Sequence, residues 1–376
     1  MDSARVLTQR LATQRLSSAP MPTAAETVRL LTCVQSQERD HAFYSLGMRS
    51  KRSTYAAVRR EYDRGTFLRT HILRPTWHFV LPQDLRWILA LTSPRVLSGM
   101  AGRHRQLGLH EPGRLDDGFG LLAELLQHKN FLTRSELGQA FVEHGSPIEP
   151  GSQLGHLLLV AELRALVCSG PMKGVHHSYA LVDEVLPSAP ERDRDEALHE
   201  LVLRFFAGHG PATVKDFTRW SSLTVTDTKS ALAGLGDALE RVEVDGLELW
   251  FDPAAVPRRR HAAPAAYLFP VYDEAVLTYT QLGFPVADRH PGGDTLDPFW
   301  AQVVVDGADV GIWKRVVDGD TVTVTTHLAP GTTADQRAKV GEAAGNLASF
   351  LECRLDHVDS DGDPRLWSGP RARRRS

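Results

Sequence analysis

The order of secondary-structure patterns constrains the fold most, because one order recurs three times along the 376 residues. Each time, helix patterns come first and two short extended stretches follow. The extended pairs are predicted at 67–73 with 77–81, at 166–169 with 179–182, and at 239–244 with 247–251 around Asp245-Gly246. Asp-Gly between strands is a strong hairpin signal. Three helices followed by a hairpin is the order of a winged helix. The sequence therefore predicts three tandem winged-helix units, at 1–110, 111–190 and 191–256.

The pattern changes after residue 265, where several β-rich stretches replace the alternation of helices and hairpins. Turns are predicted at Asp306-Gly307 and Asp318-Gly319, and a last helix from about residue 334 to 352. We expect a β-rich, barrel-like region over 265–355, with a linker at 257–261 and a disordered tail over 356–376. The predicted fold class is thus α+β.

Charge is distributed unevenly along the chain, although the net charge is only −3. Residues 1–110 contain 17 Lys and Arg against 7 Asp and Glu, and the remaining residues contain 26 against 39. Such an asymmetry suggests that the basic part binds a polyanion. The alternative is a basic surface that serves only solubility.

The sequence lacks the motifs that are typical of several classes of protein. The three cysteines lie far apart without a CxxC pair, and neither a phosphate-binding GxxxxGK[ST] loop nor an HExxH zinc motif occurs. We therefore predict no metal site and no cofactor. No apolar run approaches the ~20 residues of a membrane span, and no secretory signal is visible. We expect a cytoplasmic protein, associated with the nucleoid of a bacterium.

Two glutamines, Gln35 and Gln37, are the candidate catalytic residues. The sequence pattern places them at the end of the first helix, on either side of Ser36, where the chain enters its most basic part. A carboxamide is too weak a base to abstract a proton, but its C=O and NH2 groups can orient a water. From the residues alone, two exposed amides at a helix end are the default interpretation.

Six segments, in order over about residues 5–355, resemble the AlkZ/YcaQ-like winged-helix DNA glycosylases. They are LTCVQSQERDHAFYSL, LRPTWHFV, GPMKGVHHSYAL, GPATVKDFTRWSSL, LFPVYDEAVLTY and VVVDGADVGIWKR. The resemblance matches Gln35-Ser36-Gln37 to the family's catalytic Gln-x-Gln motif, with Ser36 at a position that is usually apolar. It implies winged helices around a DNA cleft and excision of N7- or N3-alkylated purines, including bulky adducts and crosslinks.

We accordingly expect a monofunctional glycosylase in base-excision repair or self-resistance, in which Gln35 and Gln37 hold a water at C1′. The expected partner is double-stranded DNA that carries alkylated purines, and the protein is expected to be a monomer. The residues predicted to contact DNA are Arg49, Lys51, Arg52, Arg59, Arg60, Arg69, Arg74, Thr76 and His78. The alternative is a non-catalytic DNA-binding or drug-binding regulator. A metal-dependent nuclease would need a carboxylate cluster that the basic part lacks.

Overall fold

The computed structural model describes residues 1–186, 188–257, 265–291 and 300–360, and within them the chain folds into a mixture of helices and antiparallel sheets. The first segment contains four helices and a three-stranded sheet. Its elements are α1 (Ser3–Thr13), α2 (Ala24–Leu31), β1 (Cys33–Gln35), α3 (Arg39–Arg49), α4 (Tyr55–Asp63), β2 (Leu68–His71) and β3 (Trp77–Val80). The sheet has the order β1-β3-β2, so the predicted hairpin is present and gains a third strand.

Strand β1 corrects the prediction that the glutamine pair ends a helix. Helix α2 stops at Thr32, whose φ of 64° breaks the helical path. The next residues extend and pair antiparallel with β3, which places Gln35 opposite His78. Three residues are too few for a strand pattern to be recognised in the sequence, so only the pairing with β3 reveals the strand.

The second segment repeats the arrangement of helices and a small sheet. It contains α5 (Pro82–Ser98), α6 (Ala101–Gln106), α7 (Arg114–Leu126), β4 (Leu132–Thr133), α8 (Arg134–Glu143), α9 (Ser152–Leu163), β5 (Val167–Ser169), β6 (Ser178–Leu181) and α10 (Val182–Val185). The three strands form a sheet of order β4-β6-β5. Helix α8 begins with a reciprocal pair of cap hydrogen bonds between Thr133 and Glu136, as such a spacing predicts.

The third segment contains α11 (Arg194–His209), α12 (Val214–Ser221), α13 (Val225–Leu235), β7 (Glu240–Val244) and β8 (Leu247–Phe251). The two strands form the predicted hairpin, and Asp245 and Gly246 at its turn have positive φ angles of 52° and 74°. Helix α11 packs on α2. Gly208 permits this contact, because a Cβ there would lie 2.4 Å from the carbonyl oxygen of Leu30.

The last segment is one open sheet with two helices, so the predicted barrel-like closure is wrong for the described residues. Its elements are β9 (Ala266–Phe269), α14 (Glu274–Leu277), β10 (Ala301–Val305), β11 (Ala308–Asp318), β12 (Thr321–Leu328), α15 (Ala334–Leu351) and β13 (Arg354–Asp359). The strand order is β13-β12-β11-β10-β9, with β13 parallel to β12. Residues 356–359 of the predicted disordered tail therefore belong to the sheet. Most of the predicted linker, and the tail from residue 361, lie outside the described residues.

The first sheet separates two hydrophobic cores, because successive residues of a strand point to opposite faces. Cys33 and Val80 belong to a core shared with α5, α9, α11 and α12. Val34 and Phe79, their neighbours along the same strands, belong to a core shared with α3, α15 and the last sheet. This central position joins the first segment to all the others.

A buried ion pair fastens α3 to the turn before α14. The guanidinium of Arg49 donates to both carboxylate oxygens of Asp273, at 2.9 and 2.7 Å, and to Gln14 Oε1 at 2.8 Å. Both side chains of the pair are fully buried. The prediction that Arg49 contacts a DNA phosphate is therefore wrong, because its guanidinium is enclosed and already neutralised.

We predict that Arg49→Met lowers the free energy of unfolding by about 3–5 kcal/mol, because Asp273 then keeps a buried charge without a counter-ion. The midpoint of urea unfolding measures the effect, and Arg52→Met, a change at an exposed arginine, is the matched control. The double variant Arg49→Met/Asp273→Asn should recover part of the loss. An unchanged midpoint for Arg49→Met would contradict this role of the pair.

Candidate active site

Gln35 lies at the last position of β1 and is almost completely buried. Its backbone N–H donates to Glu274 Oε1 at 2.9 Å. Its side-chain oxygen accepts a hydrogen bond from Arg74 Nη2 at 2.5 Å. One residue is therefore held at both its backbone and its amide, by side chains from the last segment and from the turn between β2 and β3.

Gln37 is half-buried and lies two residues beyond Gln35. Its side-chain oxygen accepts from the backbone N–H of Trp77 at 3.4 Å. Between the two glutamines, the N–H of Ser36 donates to the carbonyl of Trp77 at 2.7 Å. The chain thus stays beside β3 after β1 ends, and both amides remain on the side of the sheet to which Gln35 points.

The partners of the two glutamines define which way each amide faces. A guanidinium and a peptide N–H can only donate hydrogen bonds, so Arg74 and Trp77 select the amide oxygens of Gln35 and Gln37. Within the described residues, neither amide nitrogen has a hydrogen-bond partner. In that part of the chain, the NH2 group of each glutamine and the second lone pair of its oxygen are therefore not used by hydrogen bonds of the protein.

His78 faces Arg74 from β3, across from Gln35. Burial, together with the charge of Arg74, lowers the pKa of His78 to about 3. The neutral ring donates its Nδ1–H to the carbonyl of Thr76 at 3.0 Å, which leaves Nε2 as an acceptor 3.3 Å from Arg74 Nη2. His78 thus helps to orient Arg74, and its burial contradicts the predicted contact with DNA.

Glu274 is a site residue that the sequence analysis missed. Its side chain is buried, accepts the Gln35 N–H and the Thr278 hydroxyl, and lies 3.4 Å from His209 Nε2. Burial alone would raise the pKa of Glu274, but His209, the Gln35 N–H and the charge of Arg74 outweigh it and lower the pKa to about 2. An ionised carboxylate therefore lies directly behind the glutamine. An acidic residue followed by the apolar run Ala275–Leu277 is the signal that was available.

Arg69 supports the backbone of the glutamine segment instead of contacting phosphate. It is buried, and it donates to the carbonyl oxygens of Ser36 at 3.0 Å and Gln37 at 3.4 Å. Its guanidinium carbon lies 4.1 Å above the ring of Trp77. The indole N–H of Trp77 in turn donates to Glu162 Oε2 at 3.2 Å. The predicted DNA contact of Arg69 is thus wrong, because the side chain is buried and two of its nitrogens donate inside the protein.

The remaining predicted DNA contacts differ in exposure. Lys51, Arg52 and Arg60 are exposed, whereas Arg74 and Thr76 are half-buried beside the glutamines. Arg59 is also half-buried and donates to the carbonyl of Gly174 at 2.8 Å, at the tip of the β5–β6 hairpin. Three of the nine predicted residues are therefore open to a phosphate without rearrangement, and they lie on α4 and on the loop before it.

The chain matches one family of known proteins over most of its length. The sequence profile of the family described as DNA glycosylase AlkZ-like covers residues 28–350. The chain belongs to the AlkZ-like DNA glycosylase family. This confirms the resemblance that the six sequence segments indicated.

Two comparisons concern an AlkZ protein of Streptomyces sahachiroi. A curated protein named interstrand DNA cross-link repair glycosylase is 24% identical over 364 residues, which cover 91% of this chain and 96% of that protein. The solved structure of the Streptomyces sahachiroi DNA glycosylase AlkZ superposes with a TM-score of 0.72 at 22% identity, over 95% of this chain and 100% of the other. The AlkZ-like chain therefore shares the fold of that enzyme.

The described residues also bear on metals and membranes. No group of three or more His, Cys, Asp or Glu side chains is arranged to hold a metal ion within those ranges. No described helix combines the length and the apolar character needed to cross a bilayer.

We predict that this AlkZ-like protein loses stability as the pH falls from 7 to 5. Burial and nearby arginines lower the pKa of His41 and of His78 to about 3, whereas unfolded histidine titrates near 6.5. Between pH 7 and pH 5 these histidines therefore bind protons in the unfolded state but not in the native state. This lowers the free energy of unfolding by about 2 kcal/mol for each histidine. The lowered pKa of Glu274 acts in the same direction below pH 4.5.

Urea unfolding at pH 7, 6 and 5 measures this dependence, and a variant with His41→Gln and His78→Gln serves as the comparison. Its unfolding midpoint should fall less than that of the parent between pH 7 and pH 5. Equal falls in the two proteins would show that these histidines do not cause the acid sensitivity.

Proposed function

We propose that this protein is a monofunctional DNA glycosylase that hydrolyses the N-glycosidic bond of cationic alkylpurines, N7-alkylguanine and N3-alkyladenine, in double-stranded DNA. The observation that carries the proposal is the amide pair of Gln35 and Gln37, with oxygens fixed by Arg74 and Trp77. The crosslink-repair name of the Streptomyces relative supports bulky adducts and interstrand crosslinks as substrates.

The chemistry of a cationic base suits a site without a proton donor. Alkylation at N7 places a positive charge on guanine, which weakens the C1′–N9 bond and lets the base leave as a neutral molecule. Around the amides, the low pKa values keep His78 neutral and Glu274 ionised near pH 7. Neither group can act as a general acid at that pH, and a cationic leaving group needs none.

Positioning of water is the role that remains for the two amides. Each amide oxygen accepts one protein hydrogen bond and keeps a second lone pair. A water that donates its hydrogens to these lone pairs presents its own oxygen lone pair to C1′. The C1′–O bond then replaces the C1′–N9 bond, the base leaves as a neutral molecule with the bonding electrons, and the extra proton of the water passes to solvent. Arg74 and Trp77 keep both oxygens in place for this task, and the buried carboxylate of Glu274 offsets the charge of Arg74.

A Schiff-base mechanism would need a lysine beside the amides. Lys51, the nearest lysine along the sequence, is exposed on the loop after α3, where its N–H bonds to the carbonyl of Met21. Lys173 forms an ion pair with Glu136 at 2.9 Å. We therefore expect the reaction to stop at an abasic site, with the DNA strand intact.

We also propose that the chain contains three winged-helix units, with boundaries at 1–110, 111–190 and 191–256, so that α5 and α6 belong to the first unit, and that the protein works as a monomer. The arrangement of three helices with a β1-β3-β2 or β4-β6-β5 sheet supports this for the first two units. The non-catalytic regulator remains the alternative, and it requires DNA binding without any release of base.

We predict that Gln35→Ala and Gln37→Ala each slow excision of N7-methylguanine by about 10²-fold, because each variant loses one of the two groups that position the water. Neither neutral amide attracts phosphate, so the affinity for DNA should stay nearly unchanged. Single-turnover excision, followed by alkali treatment and gel electrophoresis, measures the loss. Gln139→Ala, at an exposed glutamine of α8, is the matched control.

The same gel tests the product and the alternative function. Strand scission should require alkali, and borohydride should trap no protein–DNA adduct. Excision at the parental rate by both alanine variants would exclude the amide pair as the catalytic motif. Tight DNA binding by a parent protein that releases no base would favour the regulator.

We predict that Lys51→Glu combined with Arg60→Glu weakens binding to undamaged duplex DNA and makes it less sensitive to salt. Each lost phosphate contact should reduce the slope of log affinity against log salt by about 0.9. Fluorescence anisotropy over a salt series measures both effects. Lys229→Glu on α13 makes a similar change at an exposed lysine of another segment, and parental binding by the double variant at low salt would place the DNA elsewhere.

A further inference from the structure

A cavity of about 260 Å³ lies beside α14, the short helix that begins with Glu274. Three half-buried aromatic side chains line it, Tyr272, Phe284 and Trp300. The last sheet contributes two polar residues to the wall, Gln302 and Asp309. The volume exceeds that of several waters, at about 30 Å³ each. The cavity therefore has room for a planar ring system.

Two oxygen atoms of this wall lack the hydrogen bonds that buried polar groups normally have. Asp309 is buried, and its Oδ1 accepts from His290 Nε2 at 3.0 Å, but Oδ2 has no partner within the described ranges. Gln302 is about nine-tenths buried, and its Oε1 is also without a partner there. Both orphaned atoms are acceptors, so a ligand that satisfies them must bring two hydrogen-bond donors.

We propose that this cavity binds the ring of a cationic N7-alkylguanine that has left the base stack. The Watson–Crick edge of guanine carries N–H donors at N1 and N2, which correspond in number and type to the two unpartnered acceptors of Asp309 and Gln302. The aromatic walls attract a delocalised positive charge. The carboxylate of Asp309 attracts the same charge, and N7-alkylation distinguishes this base from unmodified guanine.

Helix α14 and Arg219 connect the cavity to the amide pair, although neither glutamine lines it. Glu274 holds the backbone of Gln35, and the next two residues, Ala275 and Val276, line the cavity. Arg219 lines it too, donates to the carbonyl of Leu277 at 2.9 Å, and is near enough for its charge to help lower the pKa of Arg74. This proposal rests on the proposed function, since it names the base that the amide pair releases.

Calorimetric titration with nucleosides tests the proposal on the full-length Gln35→Ala variant, so that binding is measured without catalysis. 7-Methylguanosine carries the ring charge, and guanosine is the neutral probe of the same shape apart from one methyl group. We expect 7-methylguanosine to bind at least about tenfold more tightly than guanosine. Adding Gln302→Leu to the Gln35→Ala variant removes one acceptor and should weaken the binding of 7-methylguanosine by about tenfold. Adding Phe284→Leu instead removes one aromatic ring and should weaken it by a similar factor.

Asn346→Leu is the matched control, because it makes the same change from an amide to leucine at an exposed residue of a second cavity, between α3 and α15. It should leave the titration unchanged, and urea unfolding confirms that each variant is folded. The proposal would be overturned if the two nucleosides bound equally well. It would also be overturned if the folded variant with Gln302→Leu bound 7-methylguanosine as tightly as the variant without it. Excision of the base from DNA by the parent protein is measured in a separate assay. A titration that excludes the cavity as the binding site would therefore not contradict the proposed glycosylase activity.

Discussion

The adjacent acidic residues Asp273 and Glu274 hold the last segment against the first sheet, and the geometry around the glutamines depends on them. Asp273 neutralises the buried Arg49 of α3, and Glu274 accepts the N–H of Gln35. Both carboxylates are buried, so each would be costly without its partner. The C-terminal region is therefore part of the site's construction, although neither glutamine belongs to it.

Local sequence signals predicted the helices and hairpins well, because their causes are local. Thr133 with Glu136 caps α8, and Asp245-Gly246 turns the third hairpin, through contacts within a few residues. Strand β1 has no such signal, since three residues become a strand only by pairing with β3. The open edges of the last sheet escaped prediction for the same reason: strand order depends on contacts between distant segments.

The site was predictable in its chemistry more than in its geometry. The resemblance of one segment to a known motif led to Gln35 and Gln37, whereas charge alone assigned Arg49 and Arg69 to DNA. Sequence cannot distinguish an arginine that faces solvent from one that is enclosed, because burial depends on partners such as Asp273, 224 residues away. Glu274 escaped notice for the converse reason, since a single carboxylate in an apolar run looks structural until its partners are known.

The arrangement of charges around the amides explains why glutamine suits this position. Arg74 donates to the oxygen of Gln35, while the ionised Glu274 lies behind the backbone of the same residue. A carboxylate in place of the amide would pair with Arg74 and would also face the charge of Glu274 through a weakly polar medium. A neutral amide accepts the hydrogen bond of Arg74 without changing the charge balance of the cluster. The oxygen is thereby held in place while its second lone pair stays free of protein hydrogen bonds, as the proposed hydrolysis of a cationic base requires.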